Sequence, residues 1–144
     1  MIISTNIDEV FAFMEPANLC ERANINFAIG FSDENGMFCA GAFEIGANTM
    51  VPVNGVLLPE YAWQNGYILP GRSWTLAILR TIYQEVFSRY AKVCGSTSVE
   101  NADAISFNER AGMTIESTQY DLDGAPQFHT YSMTREQCVF LNED

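Results

Sequence analysis

The stretch Val99-Glu100-Asn101-Ala102-Asp103-Ala104-Ile105-Ser106-Phe107-Asn108-Glu109-Arg110-Ala111-Gly112-Met113 decides the reading of the fold. Asn101 belongs to the residue types that start a helix by accepting a backbone N–H two or three positions on. Gly112 stands where a helix closes through left-handed backbone, which glycine adopts without a Cβ clash. Residues 102–111 are therefore predicted to be a short helix. Upstream, Val93 to Val99 reads as a strand. Downstream, 114–121 and 127–134 flank Asp123-Gly124, a hairpin signal between two alternating runs.

Further upstream, Leu76, Leu79, Ile82, Val86 and Phe87 form an apolar stripe at helical spacing, with Ser73 as the expected cap and an end near Tyr90. At the N-terminus, Met1 to Ser4 predicts a first strand. Asn6 with Glu9 three residues on resembles a capping box, and Ile7, Val10, Phe11 and Met14 continue with helical spacing to Pro16. A second short helix is expected over 17–23. Phe27–Phe31 and Met37–Ile45 flank Asn35-Gly36, a second hairpin signal. A third long strand is expected from Thr49 to Leu58, with Pro52 and Gly55 marking an edge, bulge or bend. Residues 59–71, rich in Pro, Gly, Asn and aromatics, read as a long loop, and loops of that length are often functional. The resulting order is a mixed α/β (α+β) sheet with helices on both faces. Strands 49–58 and 93–99 would be parallel neighbours across the central helix.

The 144 residues suit one domain, 1–144, and a hydrophobic fraction of 48% can fill its core. No apolar run reaches the roughly 20 residues of a membrane span, and no basic stretch followed by an apolar one opens the sequence; both predict a cytoplasmic protein. Eighteen acidic residues against seven basic ones give a net charge of −11. That balance lacks the basic stripe that nucleic acid or an anionic membrane would require. It allows an acidic mimic of nucleic acid, but the acids are scattered rather than gathered on a run. Cys20, Cys39, Cys94 and Cys138 match no zinc spacing and read as reduced thiols, with Cys39 and Cys94 in buried strands. With His129 as the one histidine and no G-x-S-x-G, neither a metal centre nor a serine-hydrolase triad is expected.

The 99–113 stretch, with this element order, resembles the GNAT N-acetyltransferase superfamily: Asn101, Ala104, Gly112 and Met113 fall on the marks of its late signature. The likeness is nearest to small, motif-reduced bacteriophage members, which would place the protein in a host cytoplasm. It implies a GNAT-like, mostly antiparallel sheet whose two central parallel strands part. The pantetheine arm of acetyl-coenzyme A (acetyl-CoA) would lie in the gap, with its pyrophosphate at a helix N-terminus. The phosphate cradle would be Pro70-Gly71-Arg72-Ser73-Trp74-Thr75, with Arg72 a phosphate ligand or an ordinary surface cation. Asn101 would cap its helix and contact the cofactor. Two departures stand out. The cradle lacks the family's further glycines and carries Trp74, and Asn108 stands where many relatives have a tyrosine that protonates the leaving thiolate.

The resemblance implies direct attack of an amine on the thioester, with backbone N–H groups of Val56, Leu57 and Leu58 polarising the carbonyl. Glu44 and Glu60 are the carboxylates near the expected cleft, each a base or a solvated acid. Tyr61 or Tyr67 can stand in for the missing proton donor, or simply cover the core; Trp63 and Trp74 wall a pocket or fill the sheet–loop junction. His129 reads as a structural histidine. The acidic balance favours a cationic acceptor such as a polyamine, aminoglycoside or lysine side chain. The alternative is a GNAT-fold protein without catalysis that binds a host or virion protein.

Overall fold

The computed structural model describes residues 1–142. The chain runs β1 (Ile2–Ser4), α1 (Ile7–Met14), β2 (Phe27–Asp33), β3 (Gly36–Ile45), β4 (Met50–Val53), β5 (Val56–Pro59), β6 (Ala62–Ile68), α2 (Leu76–Phe87), β7 (Lys92–Ser98), α3 (Ala102–Ala111), β8 (Thr114–Tyr120), β9 (Pro126–Thr134) and α4 (Val139–Asn142). Seven strands form a sheet in the order β1-β2-β3-β6-β7-β9-β8, and β4-β5 forms a separate hairpin. Within the large sheet β6 and β7 are parallel and every other pair is antiparallel.

The cap and turn chemistry read from the sequence sets most boundaries. Asn6 Oδ1 accepts the Glu9 N–H at 3.0 Å, while the Asn6 N–H is met by Ser4 Oγ at 3.3 Å, so Ser4 supplies the return bond expected of Glu9. Asn101 Oδ1 accepts the Ala104 N–H at 3.1 Å, and Gly112 closes α3 at φ 101°. Two segments depart from expectation. The 17–23 helix is instead a pair of 3-10 turns, Glu15–Ala17 and Arg22–Asn24, the first closed by Asn18 in left-handed backbone. The cap of α2 is Thr75, whose hydroxyl accepts the Ile78 N–H at 3.3 Å, rather than Ser73.

The larger correction concerns the third long strand. Residues 50–59 fold back on themselves because Asn54 (φ 50°) and Gly55 (φ 82°) both take positive φ, the requirement of a two-residue hairpin turn. The strand beside β3 is β6, within the segment read as a loop, and it pairs in full register from Ile45↔Ala62 to Cys39↔Ile68. The parallel neighbour of β7 is therefore β6 and not 49–58.

The sheet is covered on both faces. On one, Ile78, Leu79, Ile82, Tyr83, Val86 and Phe87 of α2 pack with Phe27, Phe43, Val93 and Met133. On the other, Val10 and Met14 of α1 rest on Ala28, Ala40 and Ala42, whose short side chains let the helix lie close. Cys39, Cys94 and Cys138 are buried thiols; burial pushes Cys39 up to about 12 and Cys94 up to about 11. His129 Nδ1 lies 2.9 Å from Thr118 Oγ1 across the β8–β9 ladder, the structural role expected of it.

Candidate active site

Parallel strands β6 and β7 pair at Ala62↔Val93 and Trp63↔Cys94 and then part. Beyond that point β6 keeps its bonds to β3, and β7 keeps its bonds to β9, along their whole lengths. The backbone groups that Gln64–Ile68 and Gly95–Ser98 turn toward each other are thus outside any ladder, although buried backbone groups of this kind are almost always paired. A cavity of about 670 Å³ occupies the split, lined by β3, β6, β7, α2 and α3. An extended chain bearing amides would complete the sheet there as an added strand.

Alternation along the strands separates two mouths. Gln64 and Gly66 face α2 and α3, while Trp63, Asn65 and Tyr67 face the α1 side. At the apex the Gln64 side chain lies against Gly95, where a Cβ would sit 3.7 Å from it, and Gln64 Oε1 accepts the Tyr83 hydroxyl at 2.9 Å. Burial pushes the Tyr83 phenol well above its usual range, so it serves as a neutral donor. Deeper on the α3 wall, Asn108 is 5% exposed and its Nδ2 donates to Thr97 Oγ1 at 3.0 Å. The Trp74 ring reaches over Gly66, where a Cβ would sit in ordinary contact with it at 3.7 Å, and meets Phe107 of α3 at 6.4 Å between centroids.

Apart from the two carboxylates and the Tyr61–Trp63 pair, the residues singled out in the sequence divide into three groups. Tyr67, Trp74, Asn101 and Asn108 line the cavity together. Gly71, Arg72 and Ser73 are exposed in the turn before α2, where Arg72 Nη2 pairs with Asp33 Oδ2 at 2.7 Å and the guanidinium lies 3.9 Å over the Phe38 ring. The Asn35 N–H and this guanidinium hold the Asp33 carboxyl below its usual range. Arg72 thus fastens the turn to the β2–β3 hairpin instead of aiming at the split. Val56, Leu57 and Leu58 lie on the separate hairpin, with Val56 58% and Leu57 63% exposed; their backbone does not border β7 because β6 occupies that place.

Of the two carboxylates, Glu60 precedes β6 and accepts the Thr49 hydroxyl at 2.6 Å. Glu44 pairs across the β3–β6 ladder with Trp63, the β6 residue of the last β6–β7 pair, and lies on the α1-side face with Ala42 and Ala40. Burial first and the Glu21 charge second raise its carboxyl above the usual range. On the same face Tyr67 meets Phe13 of α1 at 5.3 Å. Gln64, Tyr83, Thr97 and Arg110 are cavity residues that sequence reasoning missed. The first would follow from recognising β6; the others carry no local signal.

No family model matches the chain, and no curated protein matches its sequence. Its fold does have counterparts among solved structures. The fold is that of the GNAT acetyltransferases. The protein smu.2055 from Streptococcus mutans superposes with a TM-score of 0.67 at 14% identity over 93% of this chain and 99% of its own. Mutant forms of the spermidine/spermine N-acetyltransferase SpeG from Vibrio cholerae give 0.67 at 12% identity, covering 99% of this chain and 98% of theirs. The ribosomal-protein-S18-alanine N-acetyltransferase from Escherichia coli gives 0.61 at 13% identity over 92% of each chain. No helix among the described residues is long and apolar enough to cross a membrane.

Proposed function

We propose that the protein is an acetyl-CoA-dependent N-acetyltransferase acting by direct attack of an amine on the thioester. The observation that carries this reading is the split of β6 from β7 over an open cavity, with facing backbone left outside the ladders. When bound, the cofactor supplies an acetyl group activated as a thioester. The split fits its amide-bearing arm, and N–H groups of β6 beyond Trp63 take the polarising role first assigned to Val56–Leu58. Asn101 and Trp74 border the arm. Asn108 offers an N–H to the leaving sulfur but no proton, so the departing thiolate is protonated from solvent or from Tyr67.

The acceptor enters from the α1 side. Glu44, with its raised pKa, is the base for the amine proton, in preference to Glu60, which is held by Thr49. Glu21, Glu44 and the Phe13–Tyr67 ring pair make that mouth suited to a cation, the kind of acceptor a polyamine or a lysine side chain presents. The polyamine named for the SpeG neighbour is a first candidate.

The test is release of free coenzyme A thiol from acetyl-CoA in the presence of spermidine, an aminoglycoside and a lysine peptide. Turnover with at least one amine is expected, and Glu44→Gln should lose most of it, about 100-fold. No thiol release above the amine-free blank with any of them would reject the reading.

A further inference from the structure

Away from the split, a second hollow of about 360 Å³ opens where three elements converge: β4, the end of α2 and the turn that follows β9. It shares no lining residue with the cavity between β6 and β7. Pro52 and Val53 of the hairpin and Phe87 of α2 give it apolar walls. Tyr90, Arg135 and Glu136 add polar groups that the protein itself leaves unspent.

Tyr90 is 3% exposed, and its ring stacks on Phe43 at 6.5 Å between centroids. A phenol set so deep ordinarily spends its hydroxyl on a hydrogen bond. Tyr83 does so, donating to Gln64 Oε1, whereas the Tyr90 hydroxyl has no such partner among the described residues. No side-chain polar atom among those residues is sealed from solvent without a partner, so the hydroxyl is the point at which Tyr90 reaches the hollow. Burial raises this phenol above its usual range, outweighing the Arg89 charge, and it serves as a neutral donor.

Arg135 and Glu136 are exposed in a turn whose backbone is fixed without their side chains. Asn142 Nδ2 donates to the Arg135 carbonyl at 2.7 Å and to the Glu136 carbonyl at 3.2 Å, and Gln137 Oε1 accepts the Thr134 N–H at 2.9 Å. Neither side chain is in an ion pair among the described residues, although four of the seven basic residues are. A held turn thus presents one positive and one negative group at the rim of an apolar hollow with a phenol donor at its base. A simple anion would meet Glu136 there and a simple cation would meet Arg135. A small molecule carrying a carboxylate and an ammonium on one carbon answers both.

From this arrangement we infer that the hollow binds a free α-amino acid with an apolar side chain. Arg135 takes the carboxylate through its planar fork, Glu136 takes the ammonium, the Tyr90 hydroxyl donates to the carboxylate, and the side chain lies against Val53 and Phe87. The assignment uses no residue of the split and stands apart from the acetyl-CoA reading.

Calorimetric titration of the whole chain with L-leucine tests it, beside 4-methylpentanoate, which lacks the ammonium, and 3-methylbutan-1-amine, which lacks the carboxylate. Wild type should bind leucine with a dissociation constant below about 1 mM and each analogue at least about tenfold more weakly. Arg135→Ala should weaken leucine at least about tenfold, and Arg22→Ala, which removes the same charge elsewhere, should leave it unchanged. Glu136→Gln should weaken leucine while strengthening 4-methylpentanoate. Tyr90→Phe should weaken leucine about threefold or more without lowering the melting temperature of the ligand-free protein, because the hydroxyl it removes is not used within the fold. Absence of saturable leucine binding in wild type overturns the assignment, as does undiminished binding in Arg135→Ala. Equal affinity for leucine and either analogue rejects the amino acid as the class of ligand. A lower melting temperature in Tyr90→Phe also counts against it, since the hydroxyl would then be engaged inside the protein.

Discussion

Asn108 Nδ2 donates to Thr97 Oγ1 at 3.0 Å, and through this bond α3 is tied to β7 on the wall of the split. Both residues are buried, so each amide or hydroxyl depends on the other. Asn108→Ala should cost about 1–3 kcal/mol, because it leaves the Thr97 hydroxyl without its donor and opens a small cavity. Chemical unfolding measures this directly. Asn108→Asp adds a pH signature. A carboxyl buried there titrates above its unfolded value near 4, so the variant is most stable below that pH and loses stability as pH rises. A variant equally stable at pH 4 and pH 7 would contradict the burial.

Gly112 and Gly124 both have positive φ, at 101° and 84°, but their surroundings differ. A Cβ on Gly112 would run into the Gln137 carbonyl, part of the turn that leads into α4, whereas nothing lies within 4 Å of one on Gly124. Gly124→Ala should therefore cost only the left-handed backbone, about 1 kcal/mol. Gly112→Ala should cost at least about 2 kcal/mol more, since backbone must shift as well. Thermal unfolding of the two variants side by side checks the difference.

The Asp33–Arg72 pair makes a prediction about acid. Asp33 is held below its usual range by the Asn35 N–H and by Arg72, so its contribution is present above an unfolded pKa near 4 and is lost as pH falls through the depressed folded value. Arg72→Gln should melt below wild type at pH 7, and the two melting temperatures should converge as pH drops below about 4. The difference should stay small, because both side chains keep about a third of their exposure.

The legible parts of the fold were those written in local chemistry. Asn6, Asn101, Gly112 and the turns at Asn35-Gly36 and Asp123-Gly124 each fix one boundary, and the structure places the boundary there. The misreading of 49–68 has a physical cause. Asn54-Gly55 carries the same turn signal as Asn35-Gly36 but sits in a run so uniformly apolar that it read as one strand. Asn65-Gly66 carries turn residues inside a true strand, because β3 pairs with that segment in unbroken register and holds it extended. Arg72 was visible as a cation near the split, but its commitment to Asp33, thirty-nine residues away, is a tertiary fact. The same holds for Arg110, whose place on the cavity wall depends on how α3 crosses β7.

The most direct measurement is thermal unfolding with and without acetyl-CoA, in wild type and in Gly66→Leu, where a larger side chain meets Trp74 and fills the split. Ligand at about 100 times its dissociation constant should stabilise wild type by roughly 2.7 kcal/mol, a rise of several degrees in melting temperature, and Gly66→Leu should lose that rise while still unfolding cooperatively. No rise in wild type at millimolar ligand, or an equal rise in both proteins, would contradict a cofactor site between β6 and β7.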